Sequence, residues 1–134
     1  MTSLPREPAI RKVLQAVKKA RELDRDRFLV HLRDRSGVAA PPPELESREL
    51  VDWDRLREMQ EGGMTIGGHS HSHRTLSGLP EEQQRRELAG SLRILREKVG
   101  PGVNAMAYPS GRPEDFTDGT KRLARDALWK AAFS

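Results

Sequence analysis

Three of the chain's four histidines, His69, His71 and His73, stand at every second position of the stretch IGGHSHSHRT, separated only by serines. Imidazole is the commonest metal-binding side chain, so the spacing asks which of the three could share an ion. In an extended segment, alternation would place all three on one face, a three-nitrogen set of the kind that holds catalytic zinc. In a single helical turn, His69 and His73 would meet at i and i+4 while His71 points elsewhere. Without context, such a run equally describes a polar loop that binds metal adventitiously. The chain has no cysteine, which excludes disulfides, thiolate zinc sites and thiol nucleophiles; any metal must sit on His, Asp or Glu. A second polar cluster, Tyr108-Pro109-Ser110-Gly111-Arg112, reads by itself as a turn after a strand.

The elements that must position these residues follow from periodicity. Residues 8–36 predict two helices. The first carries Ile10, Val13, Leu14, Val17 and Ala20 on one face, and the second carries Phe28, Leu29 and Leu32 and ends before Gly37. His31 lies within the second helix beside the stripe and is read as a surface residue outside any site. Residues 37–47 form a linker whose three consecutive prolines favour extended geometry. Beyond it helix and strand alternate. Asp52 is an N-cap for a helix bearing Trp53, Leu56 and Met59 that stops at Gly62-Gly63. A strand at 64–68 delivers the histidines to the loop beyond it. A long helix opens with Pro80, Glu81 and Glu82, stripes Leu88, Leu92, Leu95 and Val99, and ends at Gly100-Pro101-Gly102. A strand at 103–108, a helix capped by Asp118 and a final strand in WKAAF complete the chain. Strands separated by helices imply parallel pairing, with ligands at the strands' carboxyl ends, where both polar clusters fall. The expected organisation is a helical segment with a Pro-rich linker at 1–49 and an α/β domain at 50–134.

Net charge is +4 and the pI about 9.8, but basic residues are interleaved with acids, as in RELDRDRF and EEQQRREL. Solvated helix faces account for that pattern, and no aromatic sits inside a basic cluster, so nucleic acid is not an expected partner. No apolar run is long enough to span a bilayer, and MTSLPREPAIRK has no apolar core of a signal peptide.

With those residues in place, the chain resembles the polysaccharide deacetylases of the NodB-homology type. The family's second motif, His-Ser/Thr-x-x-His after a glycine-rich strand end, is similar to His69, Ser70 and His73 in IGGHSHSH. Its third motif, Phe-Ala-Tyr-Pro-Tyr-Gly in one branch, is similar to MAYPSG from Met106 to Gly111. The flanks WDRLREMQEGGMTIGGH and LSGLPEEQQRREL resemble the same branch. The departures are specific. Thr-Phe-Asp-Asp-Gly, the first motif, is absent from these residues, and the resemblance places it before Met1 and the later motifs after Ser134. Ser110 replaces the usual tyrosine and Met106 the phenylalanine, and Ala107 stands where other branches carry arginine. Leu128 occupies a position where glycine is common, which is awkward if that helix end requires positive φ.

The resemblance implies part of an irregular (β/α) barrel preceded by a helical segment. It also implies hydrolysis of N-acetyl or O-acetyl groups on a carbohydrate polymer, with a divalent metal, zinc first, held by His69 and His73. Ser70 is expected to steady that loop through its hydroxyl. Tyr108, Pro109 and Ser110 would line the substrate groove, and the Ser110 amide would hold the oxyanion. No aspartate in the chain follows a strand as the family's base does, so no catalytic base is assigned. Two other readings share some of these features: a non-catalytic metal- or partner-binding remnant of the fold, and a small basic nucleic-acid-binding domain. Open strand edges would favour self-association. The compartment is not legible, although relatives often act at the cell surface.

Overall fold

The computed structural model describes residues 6–20, 23–39, 42 and 50–134, and the chain divides into two units, Met1–Leu50 and Val51–Ser134. In the first unit, α1 (Arg6–Lys19) and α2 (Arg25–Ser36) are the two expected helices. Asp24 caps α2 by accepting from the Arg27 N–H at 3.0 Å, and Gly37 closes it at φ 65°, a conformation that costs glycine little. Ile10, Leu14, Leu29 and Leu32 are exposed, so neither expected stripe is a buried one among the described residues. Most of the expected proline linker, residues 40, 41 and 43–47, lies outside the described residues.

The second unit runs α3 (Trp53–Glu61), a 3-10 turn (Leu76–Gly78), α4 (Glu81–Lys98), β1 (Ala105–Ala107), a 3-10 turn (Pro113–Asp115), α5 (Asp118–Asp126) and β2 (Ala131–Phe133). Asp52 caps α3 as expected, its carboxylate accepting from the Arg55 N–H at 2.8 Å. The cap of α5 is Thr117 rather than Asp118: Thr117 and Thr120 exchange reciprocal bonds, and Asp118 is a first-turn residue paired with Lys121. No helix among the described residues is long and apolar enough to cross a membrane.

β1 pairs with β2 in parallel, Met106 opposite Ala132, and Gly68 forms a parallel bridge to Met106 on the other side. The Gly68 N–H donates to Ala105 O at 2.9 Å, and the Ala107 N–H donates to Gly68 O at 2.8 Å. Pairing is therefore parallel, but the strand expected at 64–68 contracts to that bridge. Two short strands and a bridge form a parallel α/β segment, and the irregular barrel of which this segment was expected to be a part is not itself formed by the described residues.

The core lies between this segment and the helices. Leu88 and Leu92 of α4 and Leu123 of α5 pack with Met106, Val103 and Trp129, all buried. Two buried polar bonds fix the register of that packing. The Thr120 hydroxyl donates to Gln84 Oε1 at 2.7 Å, joining α5 to α4, and the Trp129 indole N–H donates to Leu88 O at 3.1 Å. With their partners supplied, these groups specify the packing without a desolvation penalty.

Candidate functional site

The histidine loop begins where the parallel segment ends. A Cβ on Gly68 would lie 2.4 Å from the Trp129 ring, and one on Gly67 would lie 3.0 Å from Ala105 O. The glycine pair therefore permits close approach to β1 and to the tryptophan. His69 follows directly, its Nδ1 at 2.9 Å from the carbonyl oxygen of Ala107. A carbonyl can only accept, so Nδ1 carries a proton in this bond and Nε2 is the ring nitrogen left for a ligand.

His73 returns to His69 with ring centroids 4.7 Å apart and an interplanar angle of 63°. The turn that achieves this is not helical. Ser70 and His73 adopt left-handed backbone, φ 60° and 56°, and the His73 N–H donates to the Ser70 hydroxyl at 3.0 Å. For non-glycine residues that conformation costs on the order of 1–2 kcal/mol each. Glu87, from the second turn of α4, offsets the cost. Its Oε2 accepts from the backbone N–H groups of His71 and Ser72 at 2.9 and 2.7 Å, and its Oε1 accepts from the Ser72 hydroxyl at 2.6 Å. Hydrogen bonds to a charged group contribute about 1.5–3 kcal/mol each. Burial pushes the Glu87 carboxyl up, but the Ser72 and His71 bonds and the nearby His71 charge outweigh it and leave the group below its ordinary 4.5.

The structure thus brings His69 and His73 together and holds His71 through its backbone on Glu87. Glu87 escaped the sequence reading because it is one of many charges on α4; the only signal was its place beside the Leu88–Leu92 stripe. Among the described residues no group of three or more His, Cys, Asp or Glu side chains could hold a metal, and the donors that the loop brings together are the imidazoles of His69 and His73. That set fits two positions of a site completed by a carboxylate.

The second cluster follows β1. The Tyr108 N–H donates to Phe133 O at 2.9 Å, and the Tyr108 ring stacks on Phe116 with centroids 4.2 Å apart, 12° from parallel. Burial raises the phenol above its ordinary 10.0, a shift that the nearby Lys121 charge opposes. Of the three residues expected along a groove, Tyr108 and Pro109 are buried and Ser110 is exposed. Ser110 and Gly111 are both left-handed, φ 66° and 67°, and the Ser110 amide makes no hydrogen bond among the described residues.

A model of the polysaccharide deacetylase family matches residues 24–131, spanning both clusters. The chain belongs to the polysaccharide deacetylase family. It is 30% identical over 64 residues to the Bacillus subtilis (strain 168) protein named "Putative polysaccharide deacetylase YxkH", a match covering 48% of this chain and 23% of that protein. The solved Streptococcus pyogenes deacetylase PplD, in complex with acetate, is 28% identical with a TM-score of 0.55 over 60% of this chain and 34% of that one. The chain therefore spans about a quarter of one relative's length and about a third of the other's.

Proposed function

We propose that the chain supplies the histidine pair and the oxyanion-side loop of a metal-dependent deacetylase that removes acetyl groups, N-acetyl first, from a carbohydrate polymer. The observation that carries this reading is the His69–His73 pair, with His69 Nδ1 tied to Ala107 O so that Nε2 is the nitrogen left for a ligand. Zinc, or another divalent ion held by His69 and His73, would supply an activated water and polarise the acetyl carbonyl. His69 is oriented by the carbonyl it bonds, and Ser70 holds the backbone of His73. Tyr108 and Pro109, packed beneath, fix the loop on which Ser110 meets the substrate. The uncommitted Ser110 amide is suited to hold the developing oxyanion. We assign the carboxylate ligand and the aspartate base to family segments that these 134 residues do not span.

Proton transfer by a positioned base contributes about 10²–10⁴-fold, so residues 1–134 alone should bind zinc weakly and release no useful acetate from chitin oligomers. Fusing the chain to a family segment carrying Thr-Phe-Asp-Asp-Gly and to the downstream motifs should give turnover. His69→Ala or His73→Ala should abolish that turnover, and His71→Ala should lower it only modestly. Multiple turnovers by residues 1–134 alone would contradict the assignment of the base. An inactive but folded and zinc-loaded fusion would favour the non-catalytic remnant instead.

A further inference from the structure

We propose that Glu87 is the positioning residue of the histidine pair: its carboxylate, reaching from α4 to the backbone of His71 and Ser72, sets the turn that brings His73 to His69. The inference rests on the reading of His69 and His73 as the metal pair, and it concerns how that pair is made.

The loop between the two histidines has little reason of its own to close. Two of its residues are left-handed, and the His73 N–H donates to the Ser70 hydroxyl, a bond between neutral groups. Three further bonds arrive from 15 and 16 positions away, and all end on Glu87. Both carboxylate oxygens are occupied: Oε2 takes two backbone donors and Oε1 takes a hydroxyl. An amide of the same shape has one acceptor oxygen, and its NH₂ would face a donor. Glu87→Gln therefore changes the clamp while leaving the volume nearly unchanged.

The clamp is also anchored at a fixed point of the helix. The next residue, Leu88, is fully buried, and its carbonyl accepts the Trp129 indole N–H. The ring of Trp129 in turn lies against Gly68, the residue before His69. Both ends of the histidine loop are thus referred to one turn of α4. Gly68 is held through Trp129 and Leu88, and His71–Ser72 through Glu87. The separation of the two imidazoles is then a property of that helix turn and not of the loop.

Two readouts on residues 1–134 test this. The first is the nuclear Overhauser contact between the ring protons of His69 and His73 in metal-free protein; the second is zinc affinity by calorimetry. Glu87→Gln should keep a cooperative melt and a dispersed amide spectrum, lose the ring contact, and bind zinc about 10–100-fold more weakly. Glu82→Gln, an exposed change on the same helix, should alter neither readout. A folded Glu87→Gln that retains both the ring contact and wild-type zinc affinity overturns the proposal. If His69→Ala and His73→Ala leave zinc affinity unchanged, the metal reading fails, and the ring contact still decides the role of Glu87. If Glu87→Gln does not fold, Ser72→Ala removes one of the three clamping bonds without touching the helix. A weakened ring contact in that variant supports the clamp, and an unchanged one overturns it.

Discussion

Gly68 has no room for a methyl group: a Cβ there would sit 2.4 Å from the Trp129 ring, inside any real contact distance. Gly68→Ala must displace the tryptophan or the start of the histidine loop, and overpacking of this kind typically costs about 1–3 kcal/mol. Thermal melts should show that loss, whereas Gly78→Ala, where an added Cβ meets nothing within 4 Å, should stay within about 0.5 kcal/mol of the parent. Equal melts for the two variants would contradict the packing described. Leu128 is the opposite case. Its φ of 72° is strained for a side chain that is itself 64% exposed and so contributes little packing. Leu128→Gly should raise stability by up to about 1 kcal/mol, the relief of strain exceeding the added chain entropy. A clear loss of stability would show that the leucine packs usefully. Leu128 was legible in the sequence, where a leucine at a position that relatives give to glycine implied a strained helix end. The left-handed Ser70 and His73 were not legible, because nothing in HSHSH distinguishes a helical turn from the tighter turn that the distant Glu87 supports.

At the scale of elements, α4 connects the core to the site. Its apolar stripe and its acidic first turn were readable as helix signals, and Asp52 and Gly37 marked helix ends correctly. Strand length was less readable, since 64–68 is apolar enough to extend but bridges β1 only at Gly68. The cap of α5 was misplaced by one residue because Thr117 and Asp118 are both good caps and only the reciprocal Thr117–Thr120 bonds decide between them. The Glu87 clamp carries a pH signature. Its carboxyl titrates below its ordinary value in the folded chain, so its contribution is complete above that value and is lost as pH falls through the lowered one. The melting-temperature gap between the parent and Glu87→Gln should therefore hold steady near neutrality and shrink once pH falls below about 4.5. Melts from about pH 7 to about pH 3 check this, and a gap unchanged at the acid end would mean that the carboxylate is not what holds the loop.

At the scale of the whole chain, family membership and the two ordered clusters were legible because motif order and flanks survive in 134 residues. The barrel was implied by the resemblance alone, and the two short strands and one bridge of the described residues are too few to form it. β2 pairs with β1 on one side, and its Phe133 is 61% exposed. A parallel edge that no other strand among the described residues pairs, with an exposed aromatic on it, favours association, so purified residues 1–134 should self-associate with rising concentration in sedimentation velocity, and Phe133→Lys should reduce it. A strictly monomeric parent would contradict this. The interleaved charges predict no salt-sensitive DNA binding, in line with a carbohydrate-directed family. The central claim is that this chain contributes two imidazoles, and not three, to one divalent ion. X-ray absorption at the zinc edge of zinc-loaded residues 1–134 tests it most directly. The account predicts two imidazole nitrogens with oxygen ligands completing the shell, and loss of that signature in His69→Ala and in His73→Ala but not in His71→Ala. Three imidazoles on one zinc, or a spectrum indifferent to His69 and His73, would contradict it.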